Sequence, residues 1–492
     1  MNDEFSFLPY FRGLSAKVST LPGFEAKKSF LLAERATIDA TILAAVVDQE
    51  PLEAYAAVDG AKSIIGRELL LRSRLPTSST LVVHGTKTTD VEDLLRSEPD
   101  LYIVNFYYHD SDFWGFCAYT ADKGGAVVEK VTIASGETGT EVVRGLRLLA
   151  DTRIRNSTKD FEHIVSSLLQ LFGQVLLPRI ARLTRKPRLI LVPHKLLYLL
   201  PLHGMFVLDH ETESIAVLDQ FTTSVSYASS HLAFQYARVR ITPSFTYERG
   251  RFDRIAAPSV DAHRIAFCCV DAAELGTGGQ CELDYYRDVF GEHPDATIVT
   301  DAHLIPTDFS EYYFLLWSSH ARSNPTTWRD SALYFGQTKI SATQILENWF
   351  LRNVRVALLM GCETGVDLAI DEAVDEYFGL EAAIQIAGAS TVVSTMWKVR
   401  DTLAAFLTIF VSQGLASGIP VGRSLRSLRF LLMGHTWRQE VEKVYRQTVQ
   451  SQELSEDRKR KRLKWVSPLL DLPSNEFQGV SNWWVFRNMG HL

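Results

Sequence analysis

Two side chains with the chemistry of a nucleophile and a base stand at the ends of separate apolar runs. YYFLLWSS (312–319) leads directly into His320, and VRVALLM (354–360) leads through Gly361 into Cys362. Their separation, 362 − 320 = 42 residues, leaves room for one crossover between adjacent strands. A free thiol has a pKa of about 8.5 and is mostly protonated at neutral pH, whereas the thiolate is the nucleophile. A facing imidazole takes that proton and later gives one to a leaving amine. Gly361 permits a tight turn out of the strand, and backbone N–H groups at Ala321, Gly361 and Cys362 are candidates to bind an oxyanion. Cys117, Cys268 and Cys269 lie inside apolar runs, where small buried thiols are common. A structural role for a lone Cys or His at a strand end is the competing reading, and spacing alone leaves both open.

The elements that must position these residues are legible as changes of texture. From residue 187 onward, short and nearly continuous apolar runs alternate with helical stretches: RLILVP (188–193), RIAFCCVD (264–271), ATIVT (296–300), the two runs above and STVVSTMW (390–397). Strands buried on both faces read this way, so the spacing predicts a mostly parallel sheet with helices on both sides. In such sheets reactive groups gather beyond the carboxyl ends of the strands. Upstream, LYIVNFYYHD (101–110), FWGFCAYTA (113–121) and GAVVEKVTIA (125–134) are separated by short turns and predict an antiparallel meander. Helices are expected over about 139–151 and 158–184. Ile38, Ile42, Leu43 and Val46 share one helical face, and a second helix is expected to start near Pro51. Residues 75–80 read as a linker. The expected organisation is an N-terminal helical segment (1–80), a meander with helices (81–186) and an α/β core (187–492).

Composition excludes several classes. A chain of 492 residues with 46% hydrophobic and 22% charged residues fills two or three ordinary globular units. A net charge of −7 argues against a general nucleic-acid binder. Five cysteines without a Cys-x-x-Cys pair argue against a disulfide scaffold and a structural zinc site, and no metal or cofactor motif is found. MNDEFSFLPY has no basic segment followed by an apolar run, so the expected setting is cytoplasmic and reducing.

A series of ordered motifs resembles the CHAT family of caspase-like peptidases, within the wider group that holds caspases, separases and gingipains. LILVPHKLLYLLPLHGM is similar to the family's strand and P-D-G-x-L-x-x-L-P-F-x-x-L, with Pro193, Leu196, Leu199 and Pro201 in register. Ser319-His320 occupies the family's histidine position, LLMGCETG (358–365) resembles L-S-A-C-E-T-G, and LEAAIQIAGASTVVSTMWKVRD (380–401) resembles the tryptophan strand and its loop. The terminal Trp483-x-x-Phe486-x-x-x-Gly490 is similar to the family's W-A-A-F-x-x-x-G. Ala321 stands where the family usually has glycine, His194 stands where it has aspartate, and about 432–478 is a family-atypical insertion.

The resemblance implies a caspase-like fold with Cys362 as nucleophile and His320 as acid/base. In separase-like relatives an aspartate after the tryptophan strand receives a basic P1 side chain, and Asp401 is in the matching loop. The alternative is that Asp401 caps the helix beginning DTLAAFLTIF. Glu363 is a second candidate for substrate contact. The expected function is a regulated cysteine endopeptidase cutting one or a few protein substrates, in a bacterial defence or cell-death setting. An activating protein or a nucleic-acid-sensing complex would be its partner. An inactive caspase-like scaffold is the alternative, and another cysteine hydrolase or transferase a third. The basic run 458–464 reads as a solvated helix or, alternatively, as a contact for nucleic acid or an acidic partner.

Overall fold

The apolar runs form strands because each is short, β-branched or aromatic, and bounded by turns. The computed structural model describes residues 7–62, 64–65, 69, 88–122, 124–155, 158–209, 214–228, 265–269, 275–291, 294–324, 327–365, 378–477 and 480–490. The expected linker at 75–80 lies outside them. Contacts divide the chain into two compact units: residues 1–254 with 367–378, and residues 255–366 with 379–490.

In the first unit, helices α1 (Phe7–Thr20), α2 (Gly23–Asp48), α3 (Pro51–Ala61) and α4 (Thr88–Ser97) precede the meander β1 (Leu101–His109), β2 (Asp112–Thr120) and β3 (Ala126–Ala134). Pro51 opens α3 as its fixed φ favours. Helices α5 (Gly136–Ala150) and α6 (Thr158–Ala181) follow, then β4 (Arg188–Val192), the hairpin β5 (Phe206–Asp209) and β6 (Ser214–Val217), and β7 (Ser224–Tyr227). Among the described residues α6 is long and apolar enough to cross a membrane; it packs against β5 and α5.

The meander shares a sheet with β4 and β7 in the order β3-β2-β1-β4-β7, because β1 pairs parallel with β4 from Leu101↔Arg188 to Asn105↔Val192. The boundaries expected near residues 80 and 186 therefore both fall inside this unit. Lys62 closes the carboxyl ends of β1 and β4, its ammonium donating to the carbonyls of Phe106, Val192 and Pro193 at 2.6, 3.1 and 2.7 Å. Beside it His194 is buried, accepts the Tyr108 N–H at 3.1 Å, and is held well below the usual imidazole pKa by burial and by Lys195 and Lys62. Lys195 has φ +49°, a left-handed conformation at the position of the glycine in the resembling motif.

The second unit holds β8 (Ile265–Cys269), α7 (Gly276–Val289), β9 (Ala296–Val299), β10 (Phe314–Ser318), a small sheet of β11 (His320–Arg322), β12 (Ala332–Phe335) and β13 (Thr338–Ser341), and α8 (Ala342–Asn348). Next come β14 (Val356–Met360), α9 (Leu380–Ile386), β15 (Thr391–Thr395), α10 (Asp401–Ala416), α11 (Val421–Met433), α12 (Trp437–Gln450), α13 (Glu456–Leu470) and β16 (Phe486–Gly490). Its sheet runs β16-β15-β14-β10-β8-β9, parallel from β15 to β9, with β16 antiparallel at the end.

Side chains alternate across a strand, which sorts β10 and β8 between two helical layers. Leu315, Trp317, Ala266 and Cys268 join Ile345 of α8 and Ile384 of α9 in one core cluster. Phe267 stacks on Tyr286 of α7 with ring centroids 4.0 Å apart, so Cys269 and Ser318 face the α7–α10 layer. The sheet is buried on both sides, as continuous apolar runs require.

Candidate active site

The parallel register carries β10 and β14 to the same rim. Ser318 pairs with Met360, so His320 and Cys362 each stand two residues past the last matched pair (320 − 318 = 362 − 360 = 2). Ser319 N–H donates to Met360 O at 3.3 Å and holds the strands together to their ends. Gly361 is there because nothing larger fits: a Cβ on it would lie 2.7 Å from Ser319 O and 2.8 Å from Ala321 Cβ. The segment bearing His320 thus lies directly against the residue preceding Cys362. His320 is exposed and opens β11 opposite Tyr334. Cys362 is half-buried, and its Sγ donates to Val399 O at 3.8 Å. Burial pushes its thiol pKa up, and the Glu363 carboxylate adds to the rise. Among the described residues no hydrogen bond joins His320 to Cys362, whose thiol is engaged with the Val399 carbonyl.

The turn after Cys362 is fixed from three sides. Glu363 takes φ +59°, a costly conformation for a residue with a side chain, and its N–H donates to Trp397 O at 3.3 Å. Thr364 Oγ1 donates to Leu359 O at 3.1 Å and accepts the Thr395 N–H at 3.0 Å, while Thr395 Oγ1 donates to Gly361 O. Gly365 N–H donates to Thr395 O at 2.8 Å. Arg487 of β16 donates to Gly365 O and to Glu381 of α9, an ion pair with both side chains fully buried. Ser394 Oγ donates to the other Glu381 oxygen at 2.8 Å. None of Thr364, Thr395, Glu381, Ser394 or Arg487 was legible as part of the site in the sequence. All five fall within stretches that resemble the family, which is the one signal that pointed toward them.

The model of the CHAT domain family matches residues 163–470. The chain belongs to the CHAT domain family, a caspase-like, protease-related family. Its fold is shared with separase: the chain aligns over its full length with 38% of a separase chain from the Saccharomyces cerevisiae separase–securin complex, at TM-score 0.53 and 8% identity. A second structure of that complex aligns with 98% of the chain and 36% of the separase chain, at TM-score 0.44 and 8% identity. The chain therefore spans well under half the length of the separase it resembles. No curated protein sequence matches it.

In this CHAT domain the loop after β15 carries Val399, whose carbonyl meets the Cys362 thiol, and leads on to Asp401. Asp401 is two residues past Val399 and is exposed. It does not cap its own helix: Arg400 is the N-cap of α10 and makes no side-chain cap bond. Its Oδ2 instead accepts the Gly278 N–H at 2.9 Å, in the first turn of α7, where a carboxylate favours the helix dipole. A Cβ on Gly278 would meet Asp401 O at 2.2 Å, so the start of α7 and the start of α10 touch backbone to backbone.

Residues 437–470, most of the stretch expected to be an insertion, form α12 and α13 and lie within the matched CHAT domain; α13 docks on α7 through the basic run. Arg462 and the Trp465 indole N–H both reach Asp288, at 3.3 and 3.2 Å, and Lys464 lies 3.6 Å from Asp284. Lys459, Arg460 and Lys461 pair with Glu456 or Asp457 on their own helix. These charges are engaged within the fold, as a solvated helix with a docking face. The other four thiols are buried, and burial pushes Cys117 up to about 11 and Cys268 and Cys281 to about 12.

Proposed function

We propose that this CHAT domain is a regulated cysteine endopeptidase in which Cys362 is the nucleophile and His320 the acid/base. The observation that carries the reading is the register: both residues stand equally far past the paired ends of β10 and β14, with Gly361 letting their segments touch. The thiol rotates from Val399 toward His320, which accepts its proton. The thiolate attacks the scissile carbonyl while backbone N–H groups near Ala321, Gly361 and Cys362 receive the oxyanion. His320 then protonates the leaving amine, and water, deprotonated by the same imidazole, hydrolyses the acyl-enzyme. We read the raised thiol pKa and the Val399 contact as support for a resting site that a partner or substrate engages. That fits regulation by an activating protein, in a defence or cell-death setting inside a reducing cytoplasm.

A vinyl-sulfone or acyloxymethyl-ketone peptide probe tests the assignment. Labelling of wild type, absent in Cys362→Ala and at least about 100-fold slower in His320→Ala, is the expected result. If Cys362 is never labelled, with or without an activating partner, the chain is an inactive scaffold.

Asp401 gives the P1 preference, a basic side chain entering beside Val399 toward its carboxylate, and Glu363 is the weaker second acid. A peptide library should show cleavage after Arg or Lys. Asp401→Asn should lose about 1–3 kcal/mol of transition-state binding for those peptides, read as kcat/KM. Retention of the basic preference by that variant would remove Asp401 from the pocket.

A further inference from the structure

Glu282 is a carboxylic acid in the core of the second unit that the chemistry above does not use. It is 1% exposed and lies one helical turn beyond Gly278 on α7, on the face turned to β10 and α10. One oxygen, Oε2, accepts the hydroxyl of Ser318, the last residue of β10. The other, Oε1, is shut away from solvent without a hydrogen bond, near Thr408 of α10. Ser318 is held on both sides by its register partners, Met360 and Cys269, and from the helical layer by Glu282. Two residues later the chain leaves the sheet as His320.

We propose that Glu282 is a positioning residue of the peptidase site, holding the carboxyl end of β10 through Ser318 and thereby setting where His320 stands relative to Cys362. The proposal rests on the peptidase reading of those two residues. Two proton states of the carboxyl make different contacts. When neutral, its O–H at Oε1 can donate to Thr408 Oγ1, whose own proton goes to Ala404 O at 2.8 Å. When ionised, it is a buried charge that draws the Ser318 hydroxyl into a charge-assisted bond.

Burial favours the neutral form of Glu282, while the Ser318 and Thr408 hydroxyls favour the ionised one. Cys269 faces it from β8, Cys281 and Tyr286 lie beside it on α7, and Asp401 acts on it from α10. Arg287 acts near Cys269, and Arg462 and Lys464 of α13 are engaged with Asp288 and Asp284. Burial pushes the Glu282 carboxyl up to about 7, against the Ser318 and Thr408 hydroxyls, which lower it, and with a small further rise from the Asp401 charge. The geometry of the rim is therefore tied to a proton within the physiological range.

The test uses the full chain and the rate of Cys362 alkylation by iodoacetamide between pH 5.5 and 9. Wild type should show a step near pH 7 of about tenfold beyond the thiol's own ionisation, and His320→Ala should lack it. Glu282→Gln keeps an acceptor for Ser318 and adds a donor for Thr408, so it should fold and lose the step. Ser318→Ala breaks the link and should also lose it. Thermal midpoints separate positioning from mere packing. A carboxyl whose folded pKa lies above its unfolded value stabilises below the unfolded pKa, and that stability is lost as pH rises through about 7. Glu282→Gln should match wild type at pH 5 and melt higher at pH 8, while Ser318→Ala keeps the wild-type trend. Alkylation profiles of both variants that superimpose on wild type would overturn the proposal, whatever the melting curves do. Absence of peptide cleavage despite the step would count against the peptidase reading instead.

Discussion

Arg487→Ala is expected to cost about 3–5 kcal/mol of stability, because it leaves the Glu381 carboxylate buried without its cation. The two side chains are fully buried, Glu381 sits on α9, and Arg487 also holds the Gly365 carbonyl of the turn after Cys362. The loss should appear as a lower denaturant midpoint with an unchanged slope. It should also slow probe labelling of Cys362, since the turn loses one of its anchors. Glu381→Gln in the Arg487→Ala background should recover about half of the loss, because it removes the stranded charge. A single variant within about 1 kcal/mol of wild type would mean that the pair does not hold the turn.

That ion pair also marks the limit of what the sequence discloses. Every apolar run read as a strand is one, because burial on both faces leaves a compositional signature in a stretch of about five residues. His320 and Cys362 were legible for the same reason: each is the first reactive residue past such a run. Glu381 and Arg487 carry no such mark. They are 106 residues apart, and an Arg in a terminal strand reads as exposed until its partner is known. Ser318 and Glu282 were hidden likewise, since a serine at a strand end and a glutamate in a helix are ordinary. The short strands β11, β12 and β13 were not foreseen because each is only three or four residues long and pairs locally, too short for a compositional run to stand out.

Asp401 shows a different kind of ambiguity. Its sequence offered two roles, a cap for the helix it begins or a charge in a pocket; it does not make that cap, and its carboxylate meets the first turn of α7. Capping of a neighbour's N-terminus depends on two helix starts converging, which no local pattern records. The same holds for the basic run. Its charge pattern read as solvated, and most of it is, but Arg462 and Trp465 find a buried Asp288 that only the docking of α13 on α7 supplies. Near the thiol, the motif named the candidate residues, and the register shows that His320 and Cys362 stand at one rim of the sheet.

That register makes Gly361→Ala the sharpest test of the rim. The added methyl would meet Ser319 O at 2.7 Å and Ala321 Cβ at 2.8 Å, closer than carbon atoms approach without displacement. Both obstacles belong to the segment carrying His320, and one is backbone, so β10 and β14 must part at their ends. The Ser319–Met360 hydrogen bond of 3.3 Å would be the first to break. The fold should survive at a cost of about 1–3 kcal/mol, typical of overpacking. The reaction should not: a displacement of about an ångström between acid/base and nucleophile is worth on the order of 100-fold. Ala321→Gly removes one of the two obstacles, so adding it to Gly361→Ala should restore part of the rate, while Ala321→Gly alone stays near wild type. The Ser319 carbonyl remains in the way, so rescue must be incomplete. Wild-type probe labelling by Gly361→Ala would show that the two strand ends need not touch, and the assignment of His320 to Cys362 would fall with it.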